Sequence, residues 1–205
     1  MDDELVAEIK AFVLRHPPPK LAPDAMLSAE DFRKLGYTPR ALFPVASNRD
    51  VVKAEGALGF ALAPLLKRLF LEVSNGIAGF GYDIMGLEGG CSSDSGTLVE
   101  AYFSFRAGEE YETGPWKVGM LPFCNWGCAI YSCVDCADAS YPVFTYEDSG
   151  VWPERYSLPE FFEMWLNGKV LFSQENVEVV TREGTNPFTG KKMTISGRRR
   201  RKLGS

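Results

Sequence analysis

The stretch LPFCNWGCAIYSCVDC, residues 121–136, decides how the rest of the chain is read. It holds four of the five cysteines, Cys124, Cys128, Cys133 and Cys136, threaded through aromatic and aliphatic residues. Structural zinc sites are usually built from two tight ligand pairs separated by a longer loop, a pattern these spacings of three, four and two residues do not follow. As a strand the segment is coherent, with Ala129, Tyr131, Cys133 and Asp135 on one side and Ile130, Ser132, Val134 and Cys136 on the other. A buried core strand is therefore the favoured reading, ahead of a small zinc-binding structural protein and of a reactive thiol.

Working outward, the following segments have the same short-strand character. GFGYDIMGL, TLVEAYFSF, WKVGMLPFC, CAIYSCVDC and YPVFTYED are short runs separated by glycines and turn residues, which predicts a mostly antiparallel sheet. Helical spacing flanks that sheet. Leu5, Ile9, Phe12 and Val13 form one stripe, stopped by Pro17 to Pro19. SAEDFRKLG, residues 28–36, reads as a second helix, capped by Ser28 and ended by Gly36. The segment between Tyr37 and Asn48 reads as irregular. DVVKAEGALG suggests a third helix. In APLLKRLFLEVSNG, Pro64 sits in the first turn of another, and Asn75-Gly76 ends it. SLPEFFEMWLNG closes the unit, with Ser157 as cap and Phe161, Phe162, Trp165 and Leu166 inward. The fold class is α+β, and no internal repeat is evident.

Charge is unevenly distributed along the 205 residues, whose formal net charge is −5. Residues 191–205 hold seven basic and no acidic side chains, so the first 190 residues carry 15 basic against 27 acidic, a balance of −12. An acidic body disfavours direct nucleic-acid contact and speeds encounter with a basic protein. The RRRRK run is short, terminal and flanked by glycines, the composition of a disordered tail, and Lys202 to Ser205 resemble an expression remnant. No apolar run approaches the roughly 20 residues of a membrane span, and the first residues are acidic where a secretory signal would be basic. An odd number of cysteines favours reduced thiols, so a cytoplasmic address is expected.

Catalytic patterns are weak. His16 is the single histidine and lies beside prolines, which gives a Ser/His/Asp arrangement little support. The glycines of SNGIAGFGYDIMGLEGG follow a helix rather than precede one, the wrong order for cradling phosphate. Asp83, Glu88, Asp94, Glu100, Asp135 and Asp138 are numerous, but no spacing selects an acid/base pair. Binding chemistry fits better: Trp126, Tyr131, Tyr141, Tyr146 and Trp152 as aromatic anchors, with Asp135, Asp138, Glu147 and Asp148 meeting basic groups. The candidate partner site is Trp126, Tyr131, Asp135, Asp138, Tyr146, Glu147 and Trp152. No cofactor, metal or catalytic residue is expected.

The run AEGALGFALAPLLKRLFLEVSNGIAGFGYDIMGLEGG, residues 54–90, resembles the start of the SMI1/KNR4 domain, also called the SUKH superfamily. Glu55, Leu58-Gly59, Ala63-Pro64 and Asn75-Gly76 occupy its pattern, with Ala63 where a leucine is usual. Gly127, Asp135 and Val143 to Tyr146 resemble the family's second half, SLPEFFEMWLNG its closing helix, and NPFTGKK a tail of some bacterial members. The resemblance spans roughly residues 50–170. It implies an SMI1/KNR4-like domain over 50–172; a helical extension over 1–49 and a basic, partly disordered tail over 173–205 lie outside it. It also implies a bacterial, non-enzymatic immunity protein that neutralises a polymorphic toxin, often a nuclease. A regulator or scaffold without a toxin is the alternative.

Overall fold

The computed structural model describes residues 2–15, 43–78, 83–107, 114–127, 129–147, 150–167, 177–185 and 192–200, the last two segments by backbone. The helix expected at 28–36, His16, Cys128, Asp148 and Gly168 lie outside them. The chain divides into two compact units, Met1–Lys169 and Val170–Ser205.

In the first unit, α1 (Asp2–Arg15) buries Leu5, Val6, Ile9 and Val13 along one stripe. α2 (Asn48–Leu58) begins three residues before Val51 because Ser47 and Asp50 form a reciprocal cap. It ends where Gly59 takes a φ of 79°, an angle that costs a side-chain-bearing residue and not glycine. α3 (Pro64–Glu72) opens on proline, whose missing N–H is harmless in a first turn, and buries Leu65, Leu66, Leu69 and Phe70.

β1 is only Asp83–Ile84. The expected strand TLVEAYFSF is instead a helix, α4 (Leu98–Arg106). Its apolar residues Leu98, Ala101, Tyr102 and Phe105 recur at helical spacing and are buried. Glu100 Oε2 accepts the Thr97 amide at 2.8 Å, the return bond of a capping box. β-Propensity of the aromatic residues was outweighed by the cap and by the period.

The sheet continues with β2 (Met120–Gly127), β3 (Ile130–Asp135), β4 (Pro142–Glu147) and β5 (Gly150–Ser157). The five strands form an antiparallel meander in the order β1-β2-β3-β4-β5. β5 was not anticipated, because Pro153 argues against a central strand; it is an edge strand, where proline is tolerated. α5 (Leu158–Leu166) follows directly, with Glu160 Oε2 accepting the Ser157 amide at 2.7 Å.

Helices cover both faces of the sheet. α4 packs on β2, and its Phe105 lies 4.8 Å from Tyr131 and 4.9 Å from Tyr146, ring centre to ring centre. α5 packs on β4 and β5 and carries Phe161 against Phe123 at 4.8 Å. α1 lies on α5, with Phe12 edge-on to Trp165 at 4.9 Å. Cover on both faces explains why Tyr131 through Asp135 are buried without alternation. The described residues of the second unit form an antiparallel pair, β6 (Val177–Thr185) and β7 (Lys192–Arg200), in the segment read from sequence as a basic, partly disordered tail.

Candidate functional site

The predicted partner-binding residues do not share one surface. Cα partners across an antiparallel pair lie on the same face. Tyr131 faces Tyr146, whereas Ser132, Thr145 and Trp152 form a row on the opposite face. Tyr131 is buried and its hydroxyl donates to Asp94 Oδ1 at 2.9 Å, with Ser95 Oγ 2.8 Å away. Burial raises the Tyr131 pKa, so the phenol stays protonated as a donor. Tyr146 is half-buried under Phe105.

Asp135 is also an interior residue, 1% exposed, paired with Lys117 and accepting the Ala137 amide at 3.0 Å. Tyr131 and Asp135 are thus both interior residues bonded within the fold. Trp126 is half-buried on the α5 side, donating from Nε1 to Ser132 Oγ at 2.8 Å and lying 6.3 Å from Phe161. Trp152 and Glu147 are half-buried. Asp138 is exposed in the β3–β4 turn, where its carboxylate accepts the Ser140 amide at 2.8 Å.

Cys91, Cys124 and Cys133 are buried and Cys136 partly so. Burial raises all four thiols, Cys136 to about 11 and Cys91 to about 12, and Asp83 adds to the rise at Cys91 and Cys124. Such thiols are protonated and unreactive at neutral pH. Among the described residues, no group of three or more His, Cys, Asp or Glu is arranged to hold a metal ion.

A charged concave surface lies elsewhere, between α2 and α4. A groove of about 300 Å³ is lined by Asp50, Lys53, Ala54, Ala57, Glu88, Thr97, Val99 and Glu100. Two of its carboxylates are held by helix caps and the third sits in an exposed ion pair. Asp50 Oδ2 accepts the Ser47 amide at 2.8 Å, Glu100 Oε2 accepts the Thr97 amide at 2.8 Å, and Glu88 pairs with Lys53. The hydrogen bonds to Ser47 and Thr97 keep Asp50 and Glu100 below the usual carboxylate range.

Glu88 is positioned from inside. The loop bearing it is clamped by buried Asn75, whose Oδ1 accepts the Leu87 amide at 2.8 Å and whose Nδ2 donates to the Glu88 carbonyl at 3.1 Å. The loop backbone approaches so closely that a Cβ on Gly86 or Gly90 would lie 2.2 Å from the Asn75 carbonyl oxygen. These groove residues were missed as a site because they come from three separate segments. The capping patterns Ser47-x-x-Asp50 and Thr97-x-x-Glu100 were the legible signal.

The residues that carried the resemblance at 54–90 also have defined structural roles. Gly59 closes α2 on the Glu55 carbonyl at 2.9 Å, and Glu55 Oε1 accepts the Leu62 amide at 3.0 Å and Lys67 Nζ at 3.1 Å, bracing the turn into α3. No protein-family model matches the chain, and no curated protein matches it.

Proposed function

We propose that the chain is a non-enzymatic protein-binding module that holds a basic partner against the acidic groove between α2 and α4. The observation that carries this reading is the convergence of Asp50, Glu88 and Glu100 from three segments onto one concavity, with Asp50 and Glu100 already held by the helix caps. Carboxylates fixed before binding lose little further freedom when a partner arrives, and their field favours a basic surface. Ala54, Ala57 and Val99 supply apolar contact beside the charges.

The resemblance to SMI1/KNR4 proteins supports a partner class, a basic toxin domain such as a nuclease, which the bound chain would block as an immunity protein. A regulator or scaffold would use the same groove without a toxin. The test is calorimetric titration of the chain with the basic C-terminal domain of a secreted protein encoded beside it, together with growth of cells expressing that domain. Expected are saturable binding, rescue of growth, and a Glu88→Lys variant that binds at least about tenfold more weakly, since it puts like charges against the partner. Turnover of a small molecule by the purified chain would sink the non-enzymatic reading. Unchanged affinity in Glu88→Lys would sink the groove assignment, and binding without growth rescue would favour the scaffold.

A further inference from the structure

The proposed function does not use the β6–β7 pair. Its two strands run antiparallel over nine paired positions, from Val177 opposite Arg200 to Thr185 opposite Lys192. Nine residues at about 3.3 Å each make a ribbon roughly 30 Å long. The register places Lys192, Arg198 and Arg200 on one face with Val177, Val179, Glu183 and Thr185. Arg182 and Arg199 fall on the other face, with Glu178, Val180 and Ile195.

The two strands together hold five basic and two acidic residues. The unit Val170–Ser205 holds eight basic and three acidic residues, a balance of +5, against 14 and 24, a balance of −10, in Met1–Lys169. The acidic balance that disfavours phosphate contact belongs wholly to the first unit. A ligand that binds only the paired form of the ribbon stabilises it by mass action.

We propose that the β6–β7 ribbon, through Lys192, Arg198, Arg199 and Arg200, binds the phosphate backbone of duplex DNA. A two-stranded β-ribbon is one of the few elements that the roughly 12 Å major groove of B-DNA admits, whereas the deep, narrow major groove of duplex RNA does not. The ribbon carries cationic residues on both faces. A flat acidic protein or membrane surface meets only one of them, while a groove between two phosphate walls encloses both. Arg198, Arg199 and Arg200 suit this ligand because their charge is kept at any physiological pH and phosphate neutralisation depends on charge. The contact is to phosphate, so it carries no base sequence preference and is salt-sensitive. The acidic first unit is repelled by phosphate, which confines the contact to the ribbon.

Fluorescence polarisation of the full chain with a labelled DNA duplex of about 20 base pairs tests this, between about 50 and 200 mM salt. Expected is saturable binding whose affinity falls with salt along a log–log slope of about −3 to −4, matching the four named residues. Replacing Arg198, Arg199 and Arg200 together by alanine weakens binding at least about tenfold and makes the slope shallower by about 2 to 3. Replacing the same three by lysine, which preserves charge, retains binding within about threefold. The proposal is overturned by absence of saturation at the lowest salt, or by unchanged affinity in the alanine variant. It is equally overturned by a lysine variant as weak as the alanine one, or by tighter binding to phosphatidylserine-containing vesicles than to the duplex.

Discussion

Asn75 holds the loop at Leu87 from beneath: its Oδ1 accepts the Leu87 amide at 2.8 Å while its Nδ2 donates to the Glu88 carbonyl at 3.1 Å. One buried amide thus provides both an acceptor and a donor to a loop that lies against it at backbone distance. Asn75→Asp keeps the acceptor and replaces the donor with an oxygen facing a carbonyl. It is expected to cost about 3 kcal/mol, near the cost of Asn75→Ala, because the aspartate oxygen repels the Glu88 carbonyl while alanine leaves the buried Leu87 amide unsatisfied. Gly90→Ala should cost at least as much, since its Cβ would meet the Asn75 carbonyl oxygen at 2.2 Å. Urea denaturation measures all three, and a neutral Gly90→Ala would contradict the close approach.

The turn from α2 to α3 makes a second, smaller prediction. Glu55→Ala removes the acceptor of the Leu62 amide and the partner of Lys67. A loss of about 1 to 2 kcal/mol is expected. Glu55→Gln keeps a side-chain carbonyl for the amide and should lose less than half of that. Equal losses in the two variants would place the stabilisation in the charge on Lys67 and not in the amide bond.

Asp135 and Lys117 are bonded partners of very different exposure, 1% and 59%. Removing the lysine head leaves a buried carboxylate with the Ala137 amide as its remaining neighbour, whereas removing the carboxylate frees an ammonium that water can solvate. Lys117→Met is expected to destabilise by about 3 kcal/mol. Asp135→Asn, which keeps an acceptor for Ala137, should cost about 1 to 2 kcal/mol. Thermal unfolding at neutral pH ranks the pair, and the reverse order would refute the account.

Buried thiols predict a stability loss on the alkaline side. Cys136 and Cys91 hold their protons to about 11 and about 12 in the folded chain, while an unfolded thiol releases its proton near 8.5. The unfolded state therefore binds fewer protons above that value. Stability is flat below it and falls as pH rises towards the folded values. At pH near 9.5 each such thiol costs about 1 kcal/mol relative to pH 7. Urea midpoints at the two pH values, compared with a Cys136→Ala variant that lacks one of these losses, give the measurement. A thiol reagent at neutral pH should label Cys91, Cys124 and Cys133 only after denaturation, because they are buried.

Much of the fold was legible because it rests on local chemistry. The stripes of α1, α3 and α5, the cap at Ser157 and the strands at Met120–Gly127, Ile130–Asp135 and Pro142–Glu147 follow from periodicity and turn residues within each segment. TLVEAYFSF was misread because its β-prone residues outweighed a capping pattern present in the same few residues. The burial of Tyr131 and Asp135 was not legible, because alternation alone cannot show that both faces of a sheet are covered.

The sequence by itself determined the α+β class, the antiparallel order of the central strands and the acidic balance of the first 190 residues. These depend on residue type, period and count. Only the tertiary structure decided which carboxylates stand together. Asp50, Glu88 and Glu100 are separated by 38 and 12 positions and meet because α2, the Asn75-clamped loop and α4 pack there. Proximity between distant segments is set by the burial of their apolar faces, and that sum over the whole core is written in no single stretch of the chain.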